Sequence, residues 1–538
     1  MTTAGWIEIA LYIAILTAIT PLLGAYMTRV YRGEIGIAPV DRLTARLFGD
    51  TEQDWKAYAK SVLVFSAVGF VVLYVILRPR MPYDVTFNTT ASFLTNTNWQ
   101  YYAGETTLTN LQQMAGLAVQ NFVSAAVGMA VAIALIRALA ARSGKTIGNF
   151  YSDLVKALFY ILLPISIVVG LVLVSQGVIQ SLSAGPVASQ EVIKELGTNG
   201  GGFFNVNSAY PFENPTWLSN FIEMLLILAI PAALTSVYGR MVGNRRQGWT
   251  LYAAMLVLFV IGVVVVAIAE NHATPAMDAA GVHGFNMEGK EQRFGIASTA
   301  LFVVVTTAAS CGAVNGAMEA LTGIGGLVPT ANMQTGEVIF GGVGSGLYGM
   351  LLFAILGVFL SGLMVGRTPE FLGKKIHARE VKLTVIGTIG VPMLVLITSA
   401  LAIATKYGKV SIYDSGAQGW SETLYAYTSQ ANNNGSAFAG YTGFVQPADA
   451  AQFGITFANL LGGLTMLVGR FLPLLAVLAI AGSLVEKRVA PAGAGTFRTD
   501  SPTFVVVLVG VVVLVALLTF VPALLLGPVV QGMTHQLF

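Results

Sequence analysis

The sequence is poor in cysteine and in charge. A single cysteine, Cys311, stands among 538 residues. No internal disulfide can form, and the count argues against a cysteine-built metal site. Four histidines (His272, His283, His377, His535) are too scattered for a His/Glu metal cluster. Charged residues make up 10% of the chain, against about 25% in ordinary soluble domains. The formal charge of +3, from 29 basic and 26 acidic residues, is too balanced to suggest nucleic-acid binding. The N-terminus lacks the basic region of a cleaved signal, so the first apolar stretch is expected to be a retained span.

Apolar residues fill the space. They account for 55% of the chain, and mean hydropathy is +0.72. A helical span takes about 20 apolar residues, and ten long apolar stretches are present. They run approximately over 6–29, 58–77, 113–140, 151–175, 217–240, 249–269, 336–364, 383–404, 452–482 and 503–527. The expectation is an all-α integral membrane protein with about ten transmembrane helices.

Lys and Arg set its orientation. Of the 29, 21 fall in the connections on one side, among them Arg29, Arg142, Arg240, Arg367 and Lys487; Arg470 sits inside a span. That side is expected to be cytoplasmic, with both termini outward. The outward connections are the long ones, at about 78–112, 176–216, 270–335 and 405–451. Each holds an apolar stretch too short to span, then a cluster of Gly, Asn, Ser or Thr. Such a pattern suggests a re-entrant loop.

The clusters lie at 95–100, 197–203, 310–316 and 432–438. Anchored on Asn98, Gly200, Gly312 and Gly435, they follow one another at intervals of 102, 112 and 123 residues. This spacing predicts four pseudo-fourfold repeats of span, pore helix, filter loop and span. The expected units are 58–142, 143–247, 248–377 with a broken second span, and 378–490. An extra span lies in 1–57 with a cytoplasmic loop, and another in 491–538. Ring-forming loops of this composition suit a dehydrated monovalent cation. Backbone carbonyls replace its water shell without trapping it as a carboxylate would. Glycine tolerates the dihedrals this requires, and pore-helix C-termini add a negative dipole end. Loop one has no glycine between Thr95 and Gln100, so its side-chain amides are expected to substitute for or occlude carbonyl sites.

At these loops the chain resembles the KdpA family, the potassium-binding A subunit of the bacterial potassium-transporting P-type ATPase. The segments 336–346 and 366–375 resemble it as well. The resemblance implies a high-affinity uptake pump of the bacterial inner membrane, in which this chain selects potassium and passes it on. It implies three partners: a P-type ATPase catalytic subunit, a small accessory subunit and a single-span peptide. No Asp-Lys-Thr-Gly phosphorylation motif occurs here, so the chain is not itself the catalytic subunit. Carried over by position, the ion-contacting candidates are Asn96, Thr97, Asn98, Gln100, Thr198, Asn199, Gly200, Ser310, Cys311, Gly312, Asn433, Asn434 and Gly435. Gln100 and Gly200 are the strongest. A free-standing potassium channel or symporter of the same superfamily is the alternative.

Other features have two readings. Gly344-x-Gly346-x-x-Gly349 matches a dinucleotide fingerprint only formally, because no strand precedes it. Gly341, Gly342, Gly344 and Gly346 are instead expected to break the seventh span, either as close packing or as a gate; the resemblance favours the gate. Ser143-Gly144-Lys145-Thr146 lacks the first glycine of a phosphate loop, since Leu139 stands there. Glu337 and Arg470 are interior charges that either steer the cation or pair with each other; Glu223 is a weaker case. Lys374, Lys375, Arg379 and Lys382 form a basic cluster for anionic lipid headgroups or for docking the ATPase subunit.

Overall fold

Ten helices among the described residues of this computed structural model are long and apolar enough to cross a membrane. The structure describes residues 1–364, 366, 368–443, 455–490 and 497–534. Arg367, His535 and the boundary at 491 lie outside them.

The spans are α1 (Thr3–Tyr31), α2 (Trp55–Leu77), α4 (Gln112–Ala140), α5 (Phe150–Ser175), α7 (Trp217–Met241), α8 (Arg245–Glu270), α11 (Ser345–Met364), α12 (Ala378–Ala404), α14 (Phe457–Val485) and α15 (Pro502–Leu524). Polar caps set several starts, as at Asp54, Thr216 and Ser501, where a side-chain oxygen accepts an orphan backbone N–H. Among the shorter helices between spans, α3 (Tyr83–Leu94), α6 (Val187–Leu196), α9 (Gly295–Ala308) and α13 (Gly416–Asn432) precede the four loops. At 1.5 Å per residue they reach about 15–26 Å, short of a bilayer core of about 30 Å. Their ends and the loops after them are therefore buried in protein, where irregular backbone is tolerated at membrane depth.

The order is span, short helix, span, four times over. α1 packs on α7, and α15 packs on α8 and α11. The inner spans are recognisable by burial: 83% of the apolar window of α4 is buried and 78% of that of α7, against 28% for α1, 22% for α2 and 28% for α15. The outer helices leave apolar faces open, such as Val64, Val68, Val71 and Val75 on α2, as helices bordered by lipid do. Both ends of the described chain lie at the end of the molecule that carries the long connections. The Met1 amino group bonds the Asn271 side chain, and Gly532 packs on Gly323.

The structure alters the sequence expectation in three places. The seventh apolar stretch begins at 336, but the helix begins only at Ser345. Before it come α10 (Gly323–Gln334) and a non-helical segment with positive φ at Gly336, Glu337, Phe340, Gly341 and Gly344. The break therefore begins before Gly341 and ends before Gly346, which falls inside the helix. The ninth helix begins at Phe457, not near 452. Among the described residues one small hairpin, Glu370–Phe371 paired with Lys374–Lys375, interrupts the helical class.

Candidate cation-binding ring

Each short helix ends in the same turn. The residue two before each anchor is left-handed: Asn96 (φ 67), Thr198 (φ 49), Ser310 (φ 49) and Asn433 (φ 62). The next N–H reaches back five residues to a helix carbonyl: Thr97 to Ser92 at 2.9 Å, Asn199 to Lys194 at 2.8 Å, Cys311 to Thr306 at 3.1 Å and Asn434 to Ser429 at 2.8 Å. This is the six-to-one bond of a Schellman cap. Its four occurrences are offset by the spacing of the four anchors. The anchors Asn98, Gly200 and Gly435 are left-handed again, with φ of 57, 84 and 103. In loop three only Ser310 is left-handed, and Gly312 is not.

The four loops touch in a closed circle. A Cβ on Gly201 would lie 2.7 Å from Asn98 Cβ, joining loops two and one. A Cβ on Gly200 would lie 1.9 Å from the Gly312 nitrogen, one on Gly312 would lie 2.8 Å from the Asn434 carbonyl oxygen, and one on Gly435 would lie 2.0 Å from the Thr97 carbonyl oxygen. Glycine is required at Gly200 and Gly435 twice over, for dihedral and for space.

The side-chain amides serve mainly as braces between loops. Asn96 Nδ2 donates to the carbonyls of Gly197 (3.2 Å) and Thr198 (2.8 Å), and its Oδ1 accepts from Ser124. The Asn199 amide joins that cluster. Asn433 Nδ2 donates to Thr97 Oγ1 at 2.9 Å and to the Met466 carbonyl at 3.0 Å. Asn434 Nδ2 donates to the Thr306 carbonyl at 3.2 Å. The Cys311 thiol points to Glu195, 3.5 Å away. The amides of Asn96, Asn199, Asn433 and Asn434 are thus tied up between neighbouring segments. Asn98, Gln100, Gly200, Gly312 and Gly435 face a cavity of about 770 Å³ on the side of the long connections.

Beneath the ring lies the broken seventh span. Val343 N donates to Thr198 Oγ1 at 3.0 Å, and Gly341 N donates to the Ala308 carbonyl at 2.9 Å. Gly342 faces Ser310, Gly344 rests on the Gly128 carbonyl, and Gly346 packs on Phe340 and Gly341. Glu337 accepts from Ser310 Oγ. Arg470 borders a small cavity of about 60 Å³ with Ser310, Asn433 and Ser345. No Glu337–Arg470 salt bridge within 4.0 Å occurs among the described residues, so the two do not form a direct pair. Gly344, Gly346 and Gly349 meet no strand, and the dinucleotide reading falls away.

Sequence reasoning missed the polar network behind loop two. Lys194, fully buried on α6, lies 2.7 Å from Glu191, 3.3 Å from Glu195 and 3.6 Å from Glu213. It also donates to Asn207 Oδ1 at 2.8 Å and Ser208 Oγ at 3.0 Å, and Asn207 Nδ2 donates to the Gly200 carbonyl. Two Glu and a Lys inside a ten-residue helix were the available signal. Glu223 is fully buried, with its carboxylate beside those of Glu191 and Glu195. The basic cluster is also smaller than its sequence. Lys374 is buried and donates to the carbonyls of Ala138 (2.7 Å) and Leu484 (2.6 Å), leaving Lys375, Arg379 and Lys382 exposed.

Four span–short helix–loop–span units closed around one axis define a pore-loop membrane protein. A solved potassium transporter, TrkH of Vibrio parahaemolyticus, shares this fold, with a TM-score of 0.53 over 78% of this chain and 82% of its own at 14% identity. The family described as the potassium-transporting ATPase A subunit, KdpA, matches residues 10–533, and the chain belongs to it. Relatives named as potassium-transporting ATPase potassium-binding subunits include one from Rhizobium rhizogenes, 51% identical over 99% of both chains, and one from Methylorubrum extorquens, 52% identical over 99% of this chain and 98% of its own.

Proposed function

We propose that this chain binds potassium at the four-loop ring as a subunit of a potassium-transporting ATPase, and hands the ion to a partner that hydrolyses ATP. The carrying observation is the fourfold Schellman turn that closes backbone carbonyls into a ring at the floor of a 770 Å³ cavity. Potassium is the substrate, and its ligands in this reading are carbonyls of the stretches 96–100, 198–200, 310–312 and 433–435. The C-terminal ends of α3, α6, α9 and α13 aim their dipoles at the same point. Asn96, Asn199, Asn433 and Asn434 keep the loops at fixed separation, which is what discrimination by cavity size requires.

In the same reading the cavity faces outward, both termini with it, in the inner membrane of a bacterium. The Lys and Arg count supports that sidedness. The units 58–142, 143–247, 248–377 and 378–490 are the four repeats, and 1–57 and 491–538 carry the extra spans. The segment around Gly342, Gly344 and Gly346, with Arg470 below it, blocks a straight descent and turns the ion sideways toward the ATPase subunit. Glu337 offers the ion its first negative group beneath the ring. A small accessory subunit and a single-span peptide complete the assembly. Lys375, Arg379 and Lys382 meet the ATPase subunit or anionic lipid.

The test is Gly200→Asp. The reading expects potassium half-saturation of ATP hydrolysis by the assembly to rise at least tenfold. An unchanged value refutes it.

A further inference from the structure

Three carboxylates from separate parts of the chain meet at the wall of the outer cavity. Glu319 lies between α9 and α10, Asp414 between α12 and α13, and Glu422 in the second turn of α13. One oxygen of each lies within 4.8 Å of the others. Glu319 lines the cavity, as do Tyr413 and Tyr441 beside the other two segments. The convergence is built. Residues Ile412 and Tyr441 form an isolated antiparallel bridge, and Tyr413 N donates to the Gly440 carbonyl at 3.0 Å. Gly440 N in turn donates to both oxygens of Glu319 at 3.0 Å. A Cβ on Gly440 would lie 2.1 Å from Glu422 Oε1, so only glycine lets the carboxylates close in.

Glu422 supplies an independent indication. Its side chain is fully buried, and neither carboxylate oxygen accepts a hydrogen bond. Its nearest polar neighbours are the other two carboxyls, which have no proton to give when ionised. No Lys, Arg or His side chain lies within 4.0 Å of the three among the described residues. The acidic group behind loop two differs in this respect, because Lys194 already neutralises it. Three carboxylates held this close, one of them dry, repel one another unless a cation or a proton lies between them.

We propose that Glu319, Asp414 and Glu422 form a divalent-cation site of the calcium class, separate from the potassium ring. The donors are all oxygen, the set a hard cation takes. The oxygens lie within 4.8 Å of one another, close enough to share one ion, and calcium accepts such a set of protein carboxylates more readily than magnesium, which keeps several of its waters. An occupied site ties the connections before α10 and α13 to α13 itself. Because α13 ends in the Asn433 turn, the ion stiffens the wall leading to the ring.

The probe is terbium, whose luminescence nearby aromatic side chains sensitise. It is titrated into the purified full-length chain with the ring saturated by potassium. The expected result is one saturable population displaced by calcium, with Glu422→Gln and Asp414→Asn each weakening it at least tenfold. Both variants are expected to keep the potassium-dependent rise in unfolding temperature, which reports the ring alone. Asp414→Asn, in a connection, serves if Glu422→Gln does not fold. Equal terbium affinity in wild type and variant overturns the proposal. So does displacement by potassium as effective as that by calcium. Absence of sensitised luminescence while the potassium shift persists also overturns it, and shows that the three carboxyls share a proton instead.

Discussion

Lys194 Nζ lies 2.8 Å from Asn207 Oδ1, and the amide nitrogen of the same Asn207 holds the Gly200 carbonyl. A buried ammonium is thus one side chain removed from the ring backbone. It is also the counter-charge for Glu191, Glu195 and Glu213. Leaving buried charge uncompensated costs about 3–5 kcal/mol. Lys194→Met is expected to destabilise the chain by that order, read as a marked fall in unfolding temperature in detergent. Asn207→Ala keeps the ammonium with its carboxylates but frees the Gly200 carbonyl. It is expected to weaken potassium half-saturation several-fold with little loss of stability. If Asn207→Ala leaves potassium response unchanged, the carbonyl does not depend on this brace.

Gly200 tests the ring by size. An added Cβ would lie 1.9 Å from the Gly312 nitrogen, at a φ of 84. The dihedral alone costs about 1–2 kcal/mol, and the clash is with backbone, which has nowhere to go. Gly200→Ala is expected to lower potassium affinity at least tenfold. Gly510→Ala, where a Cβ meets open space, is the control and is expected to be neutral. Equal effects of the two contradict the closed circle.

Asn433 and Thr97 bridge loops four and one at 2.9 Å. Asn433→Ala, Thr97→Val and the double variant form a cycle. Residues sharing a hydrogen bond couple by about 0.5–3 kcal/mol, so the double variant should fall short of the sum of the singles in potassium half-saturation. Strict additivity would show that these loops do not support each other.

Lys374 gives a pH dependence. Burial and nearby Lys487 push its ammonium down to about 8, against about 10.4 for a free lysine. Between those values the unfolded chain binds more protons than the folded one, so stability rises with pH across that window. The unfolding temperature of wild type relative to Lys374→Met is expected to climb from pH 7.5 to 9.5. A constant or falling difference refutes the assignment. The Nζ bonds to Ala138 and Leu484 survive deprotonation, because a neutral amine still has N–H groups to give.

The spans and the four loops were legible because each depends on residues close in sequence. A run of about 20 apolar residues declares a span on its own, and the clusters around Asn98, Gly200, Gly312 and Gly435 declared the repeat. The turn itself was less legible, because Asn96, Thr198, Ser310 and Asn433 fill the same left-handed position with different side chains. The break in the seventh span is legible in its glycines, but its extent is not, since Gly336 to Gly344 reads as apolar while its dihedrals forbid a helix. Interior charge was the least legible feature. Lys194 finds Glu213, and Glu319 finds Glu422, only after folding brings distant segments together. Lys374 read as one of four surface cations, yet the hairpin at 370–375 turns it inward.

The most direct measurement is potassium-stimulated ATP hydrolysis in material purified through a tag on this chain. The account predicts that an ATPase travels with it, that potassium stimulates hydrolysis and sodium does not, and that Gly200→Asp shifts the potassium response at least tenfold. An intact chain that elutes alone and without ATPase activity would contradict the pump reading.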